Sequence, residues 1–331
     1  MRGRSLFILL VGVIILGMTL VLDRLVPPSS EPTELQAIDE SPARLVEGHA
    51  GHKISNSFDK EKKVGTELQS EAQIKANLDM LSTLLDQNRD EEFLSQIDQI
   101  MTKFPEVADY AALKSDYYYL KQNWPAAEDA IRHLLNLDPQ NTFAKTSLGE
   151  VLGIQGRYDE GLEVLDEVLE KEPGNLDALY STISITDLQG EAVRGIEKVS
   201  ELYRSHPENG NLAMAYADIL LSQGKTSERN ETLRRAMKTD PDNPGPYRLA
   251  ANDESRTGNS QAAIEMAEES LKRDSNPDTR LQSIDLVIRS ADSMRDFDRV
   301  ERYLRMKREL KPWDQTIAAE IEALQENRLA K

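Results

Sequence analysis

Cysteine is absent from all 331 residues, which removes disulfides and thiolate metal sites from consideration. It leaves the redox compartment open, since oxidising and reducing spaces both tolerate a cysteine-free chain. Histidine occurs only four times, as His49, His52, His133 and His206. His49 and His52 stand three apart, but two imidazoles do not make a metal site. Aromatic residues are 5% of the chain and hydrophobic residues 39%, which suits short helices with small residues at their contacts better than one large globular core. Positive charge is also scarce, with a formal net charge of −18. A chain so short of basic surface cannot displace counterions from a polyphosphate, so non-specific nucleic-acid binding is excluded. No G-x-S-x-G, phosphate loop, H-E-x-x-H or glycine-rich dinucleotide fingerprint is present. Carboxylate pairs are plentiful, but among 58 acidic residues they carry almost no information. The expectation is a protein that is not an enzyme and has neither cofactor nor metal.

One long apolar run breaks this polar character. Ser5 to Leu22 reads SLFILLVGVIILGMTLVL without a charge, and 18 residues of helix at ~1.5 Å each reach roughly 27 Å, close to the hydrocarbon thickness of a bilayer. The run is longer than a signal-peptide core and ends without an A-x-A pattern, so it predicts an uncleaved anchor. Arg2 and Arg4 flank it on one side and Arg24 on the other. That bias points residues 1–4 to the cytoplasm and the remainder across the membrane, to a periplasmic or extracytoplasmic space. The reading is a single-pass inner-membrane protein that touches the lipid bilayer through its first helix. Residues 23–70, with Pro27, Pro28, Pro32 and Pro42 among many Ser and Glu, read as a disordered linker.

Beyond the linker, proline keeps time. Pro105, Pro139, Pro173, Pro207 and Pro241 are 34 residues apart, and Gly156, Gly190, Gly224 and Gly258 keep the same interval. A fixed period of this length signals stacked copies of one supersecondary unit. Thr142–Asn175, TFAKTSLGEVLGIQGRYDEGLEVLDEVLEKEPGN, shows the unit. Leu148, Gly149 and Leu152 mark the inner face of a first helix, Gly156 breaks it, and Tyr158, Gly161, Leu165 and Val168 mark a second. Pro173 ends the second helix.

These residues resemble the tetratricopeptide repeat family, with Leu148-Gly149, Gly156, Tyr158, Gly161 and Pro173 in the family's places; Tyr118, Trp124, Ala127, Ile131 and Pro139 match in the preceding unit. The resemblance implies an all-α fold: a right-handed superhelical solenoid of about seven helix-turn-helix units over residues 74–312. It would be preceded by one transmembrane helix at 5–22 and the flexible linker, and closed by a capping helix at 313–331. The first unit has no glycine at its turn. Near Ser275–Pro277 the register slips by three residues, which suggests an inserted turn around Asn276–Arg280. Arg295, Arg299, Arg302, Arg305, Lys307, Arg308 and Lys311 are interleaved with Asp296, Asp298, Glu301 and Glu309, the pattern of an internally paired surface helix.

In this family the first helix of each unit lines a concave groove. The resemblance implies a peptide groove formed by Asp109, Asp116, Tyr119, Phe143, Glu150, Asp177, Tyr180, Asp187, Met214, Asp218, Arg248 and Asn252. Such a surface would be acidic with aromatic and methionine patches, and suited to basic or amphipathic segments of other proteins. The function expected is a membrane-anchored scaffold or adaptor for an envelope assembly, export or biosynthesis complex. Two alternatives stand beside it: a periplasmic chaperone holding unfolded or extended substrates, and a regulatory adaptor of a membrane-embedded synthase.

Overall fold

The computed structural model describes residues 71–329. All regular structure in them is helical: α1 (Glu71–Asp86), α2 (Asp90–Lys103), α3 (Ala108–Leu120), α4 (Trp124–Leu137), α5 (Thr142–Ile154), α6 (Tyr158–Lys171), α7 (Leu176–Leu188), α8 (Ala192–Ser205), α9 (Gly210–Ser222), α10 (Thr226–Thr239), α11 (Pro244–Arg256), α12 (Ser260–Arg273), α13 (Pro277–Ser293), α14 (Phe297–Leu310) and α15 (Gln315–Leu329). Odd-numbered helices through α13 open a hairpin and the even-numbered helices close it.

Local chemistry sets each hairpin. Its turn needs one residue in the left-handed region, found at Asn88, Gln122, Gly156, Gly190, Gly224, Gly258 and Arg295. There the chain reverses with the backbone bonds of a Schellman motif, as where Arg157 N–H donates to the Leu152 carbonyl at 2.9 Å. The first hairpin, which lacks a glycine, uses Asn88 at φ 55°, and asparagine tolerates that region better than most residues. A second device starts the first helices. The side chains of Asn141, Asn175, Asn209 and Asn243 accept from backbone N–H groups in the first turns of α5, α7, α9 and α11, and Asn276 does so for α13. Four of these caps also recur every 34 residues.

First and second helices differ in how they are packed. In α5, Ala144, Thr146, Leu148, Gly149, Glu150, Val151, Leu152 and Gly153 are all buried, so this helix is enclosed on nearly every side. In α4 only Ala127, Ala130, Ile131 and Leu134 are buried, one stripe of an otherwise wet helix. Gly149 and Gly161 set the approach of α5 to α6: a Cβ on Gly161 would lie 2.6 Å from the Gly149 carbonyl oxygen.

The described residues form two compact units. The first holds residues 71–168 with Ser184–Gly190. Its cores are Leu81, Leu85, Phe93, Ile97 and Tyr110 around α1–α3, then Ala127, Ile131, Leu148 and Leu152 around α4 and α5. Glu128 ties α4 to the next hairpin, accepting from Arg157 at 2.7 Å, Gln155 at 2.8 Å and Arg132. The second unit holds Leu169–Ile183 with residues 191–329. Its main core gathers Ile264, Ala267, Ile284, Val287, Leu304, Ile317 and Ile321. Tyr203 and Tyr216 stack at 4.7 Å.

The structure corrects two expectations. The slip in register is not an inserted turn at Asn276–Arg280. It lies within α13, which runs 17 residues where α11 runs 13, so the extra residues continue the helix and Arg295 takes the turn position. The second correction concerns the membrane. Among the described residues no helix is long and apolar enough to cross one. The helices span 13–17 residues, roughly 20–26 Å against the ~30 Å of a hydrocarbon core, and charged side chains interrupt them. The expected anchor at 5–22 and linker at 23–70 lie outside the described residues. Single-pass topology, a periplasmic location, lipid contact and the membrane-anchored envelope type are therefore not supported.

Candidate functional site

In the first unit, the expected groove residues sit on first helices. Asp109 is exposed in the first turn of α3; Asp116 and Tyr119 are half-buried further along. The Tyr119 ring meets Trp124 edge-on at 5.6 Å. Phe143 is half-buried at the start of α5, and Asp187 is half-buried near the end of α7. Glu150 is 4% exposed, so its carboxylate sits deeper than a groove-facing residue would.

The lysines of the same helices are engaged elsewhere. Lys114 of α3 pairs with Asp98 of α2 at 2.6 Å, and Lys145 of α5 pairs with Glu167 of α6. Just past α3, Lys121 pairs with Asp90 at 2.5 Å. The cations of α3 and α5 are thus turned to second-helix carboxylates. The expected groove positions of this unit keep only negative and aromatic side chains.

The second unit has a different character. The hydroxyl of Tyr180 on α7 donates to Asp218 Oδ2 on α9 at 2.7 Å. Asp218 Oδ1 accepts from Arg229 Nη1 at 3.0 Å. Arg229, on α10, is only 1% exposed. It also donates to the Ala217 carbonyl at 2.6 Å and, through Nε, to Asp253 Oδ2 on α11 at 2.5 Å. Asp253 Oδ1 in turn accepts from Arg256 at 3.1 Å. Burial opposes the charge on Arg229, but Asp253 and Asp218 outweigh it and hold the pKa above its ordinary value. Burial first, and the Asp218 carboxylate second, push the Tyr180 phenol well above its usual range. Tyr180 therefore stays a donor at any ordinary pH.

Arg248 is half-buried on α11. Burial pulls its pKa below the ordinary value, while Asp274, Tyr180 and Asp218 act in the other direction. Asn252, one turn on, is exposed, and Asp177 is half-buried in the first turn of α7. Met214 is 5% exposed and packs against Gly245 at the start of α11, which leaves little of it for a ligand. The structure thus brings Tyr180, Asp218 and Arg248 into one electrostatic cluster.

Arg229 and Asp253 are not among the expected site residues. A signal existed. Counting from Gly210, Arg229 occupies the twentieth position, where the repeat pattern asks for a small residue such as Gly161. A large cation there requires buried counter-charges, and Asp218 and Asp253 supply them.

Among the described residues no group of three or more His, Cys, Asp or Glu is placed to hold a metal ion. GHAGH, with His49 and His52, lies outside them. The array consists of helical hairpins.

No protein-family pattern matches the chain, and no curated protein matches it in sequence. Solved structures do. A thermophilic TPR protein from Thermus thermophilus shares 16% identity over 56% of this chain and 98% of its own, with a TM-score of 0.40. MamA from Desulfovibrio magneticus shares 17% identity over 50% of this chain and 94% of its own, at 0.37. The pilF protein of Pseudomonas aeruginosa shares 17% over 66% of this chain and 97% of its own, at 0.37. Likenesses of this size say nothing about partner or activity.

Proposed function

We propose that this protein is a protein-binding scaffold whose first helices engage extended segments of other proteins. One observation carries the reading: in the first unit the lysines of α3 and α5 are paired away with second-helix carboxylates. Asp109, Asp116 and Asp187, beside Tyr119 and Phe143, then define a face of one sign with aromatic area. Such a face steers basic or amphipathic segments and sets their register, while the rings supply contact. In the second unit, Asp177, Tyr180, Asp218, Arg248 and Asn252 form a mixed-sign counterpart.

Of the modes of binding, transient holding of extended or unfolded chains is preferred to recruitment at a membrane, because it requires no anchor. The test is a peptide array probed with the full chain and with Asp109→Lys, Asp116→Lys and Asp187→Lys. Binding to basic peptides is expected to fall with each reversal. Unchanged binding in all three would refute the reading. A holder binds many unrelated extended peptides weakly, whereas co-purification with a few folded partners and no peptide binding would favour an adaptor.

A further inference from the structure

The second unit contains an open cleft of about 550 Å³. It lies between the α11–α12 turn and the last turns of α13. Its walls are Ser255, Gly258, Ser260, Gln261, Arg289, Ser290, Ser293 and Met294. In a chain with 58 acidic residues, no carboxylate lines it. Two acidic neighbours are engaged by amides at its rim: Glu254 accepts from the Asn259 side chain at 2.8 Å, and Glu265 from the Gln261 side chain at 2.7 Å.

The cleft presents donors. Arg289 is exposed and makes no hydrogen bond or ion pair with a described residue. The serines form two hydroxyl pairs. Ser293 donates to the Ser290 carbonyl at 2.7 Å, which leaves Ser260 as the donor to Ser293 across 2.6 Å. Ser290 donates to Ser255 at 3.3 Å, which leaves the Ser255 proton uncommitted. Asn259 makes no side-chain cap on α12, so the first N–H groups of that helix keep donor capacity, and its first two residues, Ser260 and Gln261, line the cleft.

We infer that this cleft is a binding site for a tetrahedral oxyanion of the phosphate monoester class. The guanidinium supplies the counter-charge and a forked pair of donors. The Ser255 hydroxyl and the start of α12 satisfy further oxygens. A dianion with several acceptor oxygens uses all three sets of donors, whereas a carboxylate has only two oxygens to share among them. Ser255 lies three residues beyond Asn252 on α11, so the cleft borders the proposed peptide face; the probes tell the two apart, an anion here and basic peptides there.

The test is calorimetric titration of the full chain with inorganic phosphate and with O-phosphoserine, using serine and sodium chloride as controls. Saturable binding of the phosphates is expected, weakened about tenfold or more by Arg289→Gln, since the variant loses the counter-charge and the forked donors together. Ser255→Ala should weaken it less, and Arg305→Gln, at an exposed position on α14, should leave it unchanged. Arg289 is exposed, so its variant should keep the parent's circular dichroism and melting point. Tighter binding of O-phosphoserine would assign the source to a phosphorylated side chain, and equal binding to free phosphate. Either result supports the cleft. Absence of saturable binding, an equal response to chloride, or binding that survives Arg289→Gln would overturn the inference.

Discussion

Replacing Arg229 by Ala removes the cation that joins α9, α10 and α11. It also restores a small residue at the position where the repeat pattern expects one. Propensity and pattern alone would therefore predict a neutral or favourable change. The contacts predict the opposite. Arg229 is 1% exposed and donates to Asp253 at 2.5 Å, Asp218 at 3.0 Å and the Ala217 carbonyl at 2.6 Å. Removing one partner of a buried ion pair costs about 3–5 kcal/mol, because the remaining charges stay desolvated. Here the low end applies. The Asp218 side chain is 33% exposed and recovers hydration, and Asp253 keeps its bond to Arg256. The expected loss is about 3 kcal/mol. A triple variant, Arg229→Met with Asp218→Asn and Asp253→Asn, removes all three charges together and should recover much of that loss. Urea unfolding followed by circular dichroism gives the midpoint. Hydrogen exchange on peptides from α9–α11 tests whether the loss is local. A change below about 1 kcal/mol, or one that vanishes in ~1 M salt as for an exposed pair, would refute the reasoning.

Two further outcomes follow from other contacts. Gly161→Ala places a Cβ 2.6 Å from the Gly149 carbonyl oxygen and 3.3 Å from the Gly153 nitrogen. Both are backbone atoms on α5, so the helices must part, at a cost of about 1–3 kcal/mol in a thermal melt; an unchanged melting point would show that α5 and α6 are not held at this spacing. Acid should weaken the first unit through Glu128. Burial raises its pKa, but hydrogen bonds from Arg157, Gln155 and Arg132 together prevail and hold it below 4.5. A carboxyl depressed in the folded state contributes stability above its unfolded pKa and loses that contribution as pH falls through its folded one. Glu128→Gln should therefore flatten the decline of melting temperature below about pH 4.5, and parallel curves for parent and variant would exclude this carboxyl as the cause.

How far the sequence could be read depends on how local each cause is. The hairpin period was legible because its punctuation is local: a glycine that takes positive φ at Gly156, and a proline that ends α6 at Pro173. The same physics explains where the reading faltered. Gln122 and Arg295 hold the left-handed turn position without being glycine, so a search for glycine misplaces those turns. The lengthening of α13 looks like an inserted loop when only Ser275 and Pro277 are weighed. The asparagine caps at Asn141, Asn175, Asn209 and Asn243 were visible at the same 34-residue interval, though their role emerges only when each oxygen is seen meeting a helix-start N–H.

The candidate site was less legible because its causes are not local. Position in a repeat places Met214 and Glu150 on the inner helices, but whether they face a ligand depends on the next hairpin. Gly245 lets α11 settle onto Met214, and Glu150 is enclosed to 4% exposure. Arg229 is the sharper case. Its partners Asp218 and Asp253 are 11 and 24 residues away, on the first helices of its own hairpin and of the following one. No single-unit pattern connects them. The contacts also change the meaning of Asp218: as one acid among many it reads as an attraction for cations, but held by Arg229 and Tyr180 it no longer offers an uncompensated charge. The face of the second unit should therefore discriminate less strongly for basic segments than that of the first, and Asp218→Lys should damage folding more than it redirects binding.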